Sequence, residues 1–395
     1  MSRRSSPKVV VAPDKFKGSL TANEAACGMS AGVRTHYPTA QISNVPLADG
    51  GEGTVDAAIA AGAEERYTRV TGPLGQPIWA RWGVFRSPDG SATTAVLESA
   101  QASGLNKITP NPTAARAAHS YGCGQLVRAA LDLGAIDIVI GLGGSAMTDG
   151  GSGALRALGL QILGDDGAPV PLGGVGLLSA CRLDTSQVDS RLDTTPISLA
   201  VDVHNPLHGS DGAAYVFAPQ KGANPTDQDA LNAALEHWSE LLGQVAPNRI
   251  FNGAGSGAAG GFPSGFLALT SAELERGFDL VSNLVGLEEH LNGADLLIVG
   301  EGSLDQQSLQ GKAPFSAAAL ATARKIPVVA VAGQLLLSKS ELATAGIQVA
   351  TSLSDSAPST QVAMRDAAQY AEQATIKALQ QLDHNASPMN VQAAY

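Results

Sequence analysis

The sequence predicts an α/β fold built on largely parallel sheets, and three observations lead there. Continuous branched-aliphatic runs of about four to seven residues recur, each bounded by Gly or Pro, as strands buried on both faces require. Ala-rich stretches follow the Gly-rich loops, and strands alternating with helices make a doubly wound sheet. The chain has 395 residues, enough for two ordinary domains and too many for one small core.

The elements follow in order. Lys8–Ala12 is a strand running into PDKFKGS. Thr21 and Glu24 then form a T-x-x-E capping box that opens a helix to about Arg34. Gln41–Val45 runs into PLADGGEGT. Segment 66–98 differs: it reads as hairpin strands around a Ser-Pro-Asp-Gly turn, and the main domain change is placed near residue 75. Ile136–Ile140 leads to GLGGSAMTDGGSG, Ile197–Val203 to HNPLHG, and Asp295–Val299 to GEGSLDQQSLQGK. Pro314 opens an Ala-rich helix through Arg324. Ile326–Ala332 and Gly346–Ala350 add two strands, and the last dozen residues read as a frayed polar end.

Composition narrows the function. With 44% hydrophobic and only 15% charged residues the chain is not disordered. The net charge of −11 argues against nucleic acid and anionic membranes as partners. Residues 1–75 are the exception, with 8 basic against 7 acidic side chains, so an anion meets least repulsion there. Cys27, Cys123 and Cys181 form no C-x-x-C pair, which speaks against a disulfide framework or a thiolate zinc site and fits a reducing, cytoplasmic setting. Neither the opening MSRRSSPK nor the apolar stretch 327–337 has the length of a signal peptide core or a membrane span.

In a doubly wound sheet ligands bind beyond the carboxyl ends of strands, where five loops bring polar residues together. They carry Asp14, Lys15, Lys17 and Ser19; Asp49 and Glu52; Ser145, Thr148 and Asp149; Asp202 and Asn205; and Glu301, Asp305 and Lys312. One acid after one strand is a helix cap, but several crowded carboxylates raise one another's pKa unless cations sit among them. A divalent metal, lysines, or both would resolve that conflict. GLGGSA alone suggests a dinucleotide site, but Asp149-Gly150-Gly151 would break the helix such a motif needs. GSGAAG at 255–260 is followed by Phe262-Pro263 and reads as a mobile turn. GMSAG at 28–32 lies inside the first helix, and Pro206 separates His204 from His208, so neither a nucleophile elbow nor a helical zinc pair is expected.

The motifs APDKFKGSLTA, PLADGGEGT, GLGGSAMTDGG, DVHNPL with FAPQKGA, GEGSLDQQSLQGKAP and AVAG, in that order, resemble the bacterial type I glycerate kinases. The resemblance implies ATP-dependent, Mg²⁺-assisted phosphorylation of D-glycerate to 2-phosphoglycerate in an inter-domain cleft. It also implies a discontinuous Rossmann-like or flavodoxin-like α/β domain (1–75 plus 280–395) with a second α/β domain (76–279) inserted. The oligomer is left as monomer or homodimer. Met147 departs from the family's usual Thr, Val201 from its Cys, and GAGSGAAGG is lengthened.

On that basis each motif residue receives an expected role. Lys17, with the helix start at Thr21, holds an anion; Asp49, Glu301 and Asp305 hold Mg²⁺; Asp202 is the general base. Asp14, Ser19, Asn205, Ser145 and Asp149 meet substrate, and Gly143, Gly144, Thr148 and Lys312 meet nucleotide. The competing expectations are a kinase of a related hydroxy acid, a nicotinamide-dependent oxidoreductase, and a non-catalytic hydroxy-acid binder.

Overall fold

The computed structural model describes residues 6–386 except Pro88 and Ser91. Within them the strands are β1 Lys8–Pro13, β2 Gln41–Asn44, β3 Glu64–Thr71, β4 Pro77–Arg86, β5 Thr93–Glu98, β6 Asp137–Gly141, β7 Gln161–Leu163, β8 Arg182–Asp184, β9 Ile197–Val201, β10 Ala272–Arg276, β11 Leu296–Leu304, β12 Val328–Leu335 and β13 Val349–Ser352. Every strand anticipated from an apolar run is present. The strands β7, β8 and β10 were not anticipated: two have three residues, and AELER is mostly exposed. The expected fraying of the last dozen residues falls, beyond Ala386, outside the described residues.

The chain divides into two units. One runs up to Asp49 and resumes at Val281; the other is Gly50–Leu280. The division precedes the expected change near residue 75 because β3 pairs along its length with β4, while helix Thr54–Ala60 packs on β4 and β5.

The first unit holds an all-parallel sheet in the order β13-β12-β11-β1-β2. The chain winds outward from β1 to β2, then returns to the other side of β1, so the winding reverses between β1 and β11. Val9, Val11, Ile298, Val329 and Val331 bury one face against helices Ala22–His36 and Ala367–Ala386. The first of these helices is closed by the expected box, with Thr21 Oγ1 accepting from Glu24 N and Glu24 accepting from Thr21 N. The two helices approach through Gly28 and Gly32; a Cβ on Gly32 would sit 2.6 Å from the Glu372 carbonyl oxygen.

The second unit orders its main sheet β10-β9-β6-β5-β4-β3. Strands β5, β6, β9 and β10 are parallel, and the β3–β4–β5 hairpins are antiparallel as the turn signals predict. Ile138, Ile140, Leu97 and Leu199 pack with Leu126, Leu155, Trp238, Phe262 and Phe266 in one core. The GSGAAG segment is not a mobile turn. It is buried from Gly255 to Ala258, and Gly260, at φ +73°, lies so close to Met147 that a Cβ would come within 2.1 Å of the Met147 carbonyl oxygen. A helix follows to Leu269, with Pro263 accommodated near its start.

These packing facts separate two glycine-to-alanine changes. Alanine gains about 1 kcal/mol in helix propensity, whereas overpacking costs about 1–3 kcal/mol. Gly243, in helix Pro225–Val245, has open space around it, so Gly243→Ala should raise the denaturation midpoint. Gly32→Ala should lower it, and a midpoint at or above wild type would contradict the helix contact described.

Candidate functional site

At the carboxyl edge of the first sheet, β1 ends at Pro13 and β11 passes it at Gly300, so Asp14 and Glu301 emerge beside each other at the reversal. The Asp14 backbone N–H donates to the Gly300 carbonyl at 2.8 Å. Burial pushes the Asp14 carboxyl up to about 7; Lys15 opposes the shift, and the Asp49 and Glu301 carboxylates reinforce it. Lys312 Nζ donates to Glu301 Oε1 at 2.8 Å and Ser308 Oγ to Glu301 Oε2 at 3.0 Å. Burial lowers the Lys312 ammonium, but the Glu301 bond and the nearby Asp305 and Asp49 outweigh this and raise it. Asp14, Asp49, Glu301, Asp305 and Lys312 therefore share one electrostatic neighbourhood, as crowded carboxylates with an interposed cation.

The expected metal set is not a preformed three-ligand cluster: among the described residues no three His, Cys, Asp or Glu side chains are placed to hold a metal ion. Glu301 is engaged by Lys312 and Ser308. Asp305 closes its own turn by accepting from the Gln307 and Ser308 N–H groups at 2.9 and 3.2 Å. Although burial acts against it, these bonds hold the Asp305 carboxyl below its usual range.

Lys17 is exposed on the loop after β1, its backbone lying on Gly302, where a Cβ would be 3.0 Å from Lys17 N. Ser19 is spent on that loop: its hydroxyl and its N–H both donate to the Phe16 carbonyl, at 3.1 and 2.8 Å. At the helix start, the Glu24 carboxylate accepts from the Thr21 N–H and hydroxyl, so an anion arriving there meets a carboxylate of the same helix.

In the second unit the register row Glu98, Gly141, Ala200 and Glu275 crosses the parallel strands at their carboxyl ends. Two glycine-rich loops meet there backbone to backbone; a Cβ on Gly143 would be 2.6 Å from Gly51 Cα. Gly144, at φ +62°, turns the chain toward Ser145, which is 7% exposed. Glu98 was missed by sequence reasoning, since it closes a strand with no motif of its own. Its Oε1 accepts from Gly53 N and Val55 N at 3.0 and 2.6 Å, fixing the DGGEGT loop, and burial lifts the carboxyl to about 7 against those bonds.

Thr148 and Asp149 lie beneath the loop surface, both fully buried. Asp149 Oδ2 accepts from the Ser120 N–H and hydroxyl, each at 2.8 Å, and from Gly153 N at 3.2 Å; Oδ1 accepts from Gly151 N at 3.3 Å. That set of donors makes Asp149 an internal brace of the loop rather than a group presented to substrate. Lys221, from FAPQKGA, is buried below and donates to the Met147 carbonyl and to Thr148 Oγ1. Burial draws its ammonium down to about 7, and Asp149 pulls it back up.

Asp202 is exposed at the end of β9, and its Oδ1 accepts from Gly277 N at 3.1 Å. Asn205 braces the same loop: its amide donates to the Asp211 carbonyl at 2.8 Å, and its own carbonyl accepts from Gly257 N at 2.9 Å. His208 pairs with Asn252 at 2.8 Å, a loop contact and no metal pair with His204. The three cysteines are unpaired. Among the described residues no helix is long and apolar enough to cross a membrane.

Known proteins sharpen this picture. The model of the glycerate kinase family matches residues 9–383. The chain is 42% identical over 330 residues to the glycerate 2-kinase of Escherichia coli (strain K12), covering 83% of this chain and 85% of that one. It is 41% identical over 329 residues to a glycerate kinase of Haemophilus influenzae, covering 83% and 86%. A glycerate kinase 2 structure from Salmonella typhimurium LT2 superposes with a TM-score of 0.83 at 36% identity, over 96% of this chain and 99% of that one. From Val9 to Asp383, therefore, the chain belongs to the glycerate kinase family, kinases that transfer phosphate to an alcohol acceptor.

Proposed function

We propose that the chain transfers the γ-phosphoryl group of ATP to the 2-hydroxyl of D-glycerate, giving 2-phosphoglycerate and ADP. The observation that carries this reading is the gathering of Asp14, Asp49, Glu301 and Lys312 where the winding of the first sheet reverses, the place at which open α/β sheets bind ligands. Phosphoryl transfer asks for positioning and charge neutralisation more than covalent chemistry. Carboxylates crowded closely enough for Asp49 and Glu301 to raise the pKa of Asp14 fit a magnesium ion delivered with nucleotide, since Mg²⁺ takes one or two carboxylates and completes its shell with phosphate oxygens and water. Asp49 and Glu301 would hold it, with Asp305 shaping the turn behind them; bound there, it would neutralise phosphate charge.

Lys17 and Lys312 supply side-chain cations for the phosphates, and the Gly143–Gly144 backbone supplies N–H groups, with Thr148 supporting that loop from beneath. Asn205 and Ser145 orient glycerate, while Ser19 and Asp149 keep their loops in shape. In the chemical step the substrate oxygen bonds to the γ-phosphorus as the bond to the β,γ-bridging oxygen breaks, and the hydroxyl proton passes to the Asp202 carboxylate. Incubating the purified chain with D-glycerate, ATP and Mg²⁺ should give the 2-phosphate by phosphorus NMR. The 3-phosphate, or no phosphorylated glycerate, would overturn the proposal.

Asp202→Asn separates two uses of one side chain. Asparagine caps helices as well as aspartate does, so the contact to Gly277 and the melting temperature should survive. Loss of the base should lower kcat by about 10²–10⁴. Near-normal turnover would remove Asp202 from that role.

Asp14 generates a pH prediction. Its carboxyl, raised to about 7, is protonated below that pH and can donate a hydrogen bond to bound glycerate. The donor disappears as pH rises through 7, so KM for D-glycerate should climb between pH 6 and 8.5. Asp14→Asn keeps an N–H donor at every pH and should flatten that climb. An identical profile in the variant would exclude Asp14 as the titrating group.

A further inference from the structure

Lys221 is 1% exposed and takes no part in the chemistry above. Its ammonium reaches the middle of the GLGGSAMTDGG loop, donating to the Met147 carbonyl and, at 3.3 Å, to Thr148 Oγ1. Lysine is among the side chains costliest to bury, and an apolar residue of its length would fill the same space without that cost. The nearby Asp149 carboxylate favours the buried ammonium only through space, because its oxygens accept from Ser120, Gly151 and Gly153 and the hydrogen bonds of Lys221 go to residues 147 and 148.

We propose that Lys221 is a positioning residue for phosphoryl transfer: it pins the Met147–Thr148 turn and thereby sets the Gly143–Ser145 backbone that meets the nucleotide. This rests on the assignment of residues 143–148 to nucleotide binding. The geometry around the turn supports the mechanism. Gly260 presses on the Met147 carbonyl from one side, and Gly174 presses on Thr148, where a Cβ would sit 2.1 Å from the Thr148 carbonyl oxygen. Trp238 Nε1 donates to the Gly150 carbonyl at 3.0 Å, and Gly150 N donates to the Gly260 carbonyl at 3.0 Å. Ahead of the turn, Gly144 is held by Leu105 N at 2.7 Å and Ala146 by the Ser103 carbonyl at 2.7 Å. Neutral contacts thus fix both flanks, and the Met147–Thr148 pair between them takes its side-chain hydrogen bonds from the Lys221 ammonium.

Initial rates of the full chain, with ATP and D-glycerate varied in turn, test this. Lys221→Met keeps the volume but leaves a buried carbonyl and hydroxyl without their side-chain donor. It should raise KM for ATP about tenfold or more while KM for D-glycerate stays within about twofold. Lys221→Arg should recover part of the loss. Thr148→Val, which removes one of the two acceptors and keeps the shape, should raise KM for ATP by a smaller factor of about three, and it carries the test should Lys221→Met not fold. A lower melting temperature with both KM values unchanged would make Lys221 a structural filler and overturn the proposal, as would an equal rise in both KM values. Gly143→Ala distinguishes this failure from that of the underlying assignment. If it raises KM for ATP while the Lys221 and Thr148 variants do not, the nucleotide loop stands and the positioning role falls; if none of these variants moves it, the loop assignment falls as well.

Discussion

Backbone packs directly on backbone at the carboxyl edge of each sheet, and the rest of the chemistry depends on that contact. Gly143 lies on Gly51, Gly50 on Gly277, Gly302 on the Phe16–Lys17 segment and Gly333 on Gly302, each with room for hydrogen alone; a Cβ would fall within 3.0 Å of its neighbour. Peptide N–H groups act as fixed partial charges, which attract phosphate without adding a lysine. A chain of net charge −11 that handles phosphate needs such a device, since its few cations cannot compensate the acids everywhere.

Burial supplies the second control. Asp14 and Glu98 stand at the ends of β1 and β5, and desolvation lifts both carboxyls to about 7. Lys221 is moved to about 7 from the opposite direction by the same physics. These groups differ from the Lys312–Glu301 pair, whose side chains are 33% and 12% exposed. A half-exposed pair adds little to stability because water screens it.

How much of this could be read beforehand depended on whether a feature is local. Strand cores such as Val9–Val11 and Ile138–Ile140 were legible because a run buried on both faces leaves a continuous apolar signature. The Thr21–Glu24 box was legible because both partners lie within one helical turn. Glu98 was not, because a carboxylate at a strand end has meaning only through Gly53 and Val55, more than forty residues earlier in the chain. Lys221 was hidden for the same reason, its acceptors being 73 and 74 positions away. The GSGAAG turn misled in the opposite sense: glycines that elsewhere signal mobility are here the condition for close packing on Met147 and Thr148. Asp149 was legible as important but not as internal, since a motif shows that a carboxylate is needed without showing which way it faces.

The closed helix start at Thr21 has a consequence for how anions are attracted. A free helix N-terminus is an anion site, but here the Glu24 carboxylate, bonded to the Thr21 N–H and hydroxyl, places a negative charge of the same helix beside it. The first unit also carries side-chain cations near its sheet edge, Lys17 on the β1 loop and Lys312 beside Glu301. The second unit has the reverse arrangement at its sheet edge: Lys221 is turned inward onto the Met147 carbonyl, and the glycine-rich backbone is what faces outward. Mobile ammonium groups can follow a phosphoryl group as its charge shifts, whereas fixed amides reward one geometry only. A reaction that must hold a nucleotide still while moving its last phosphate has use for both kinds of attraction.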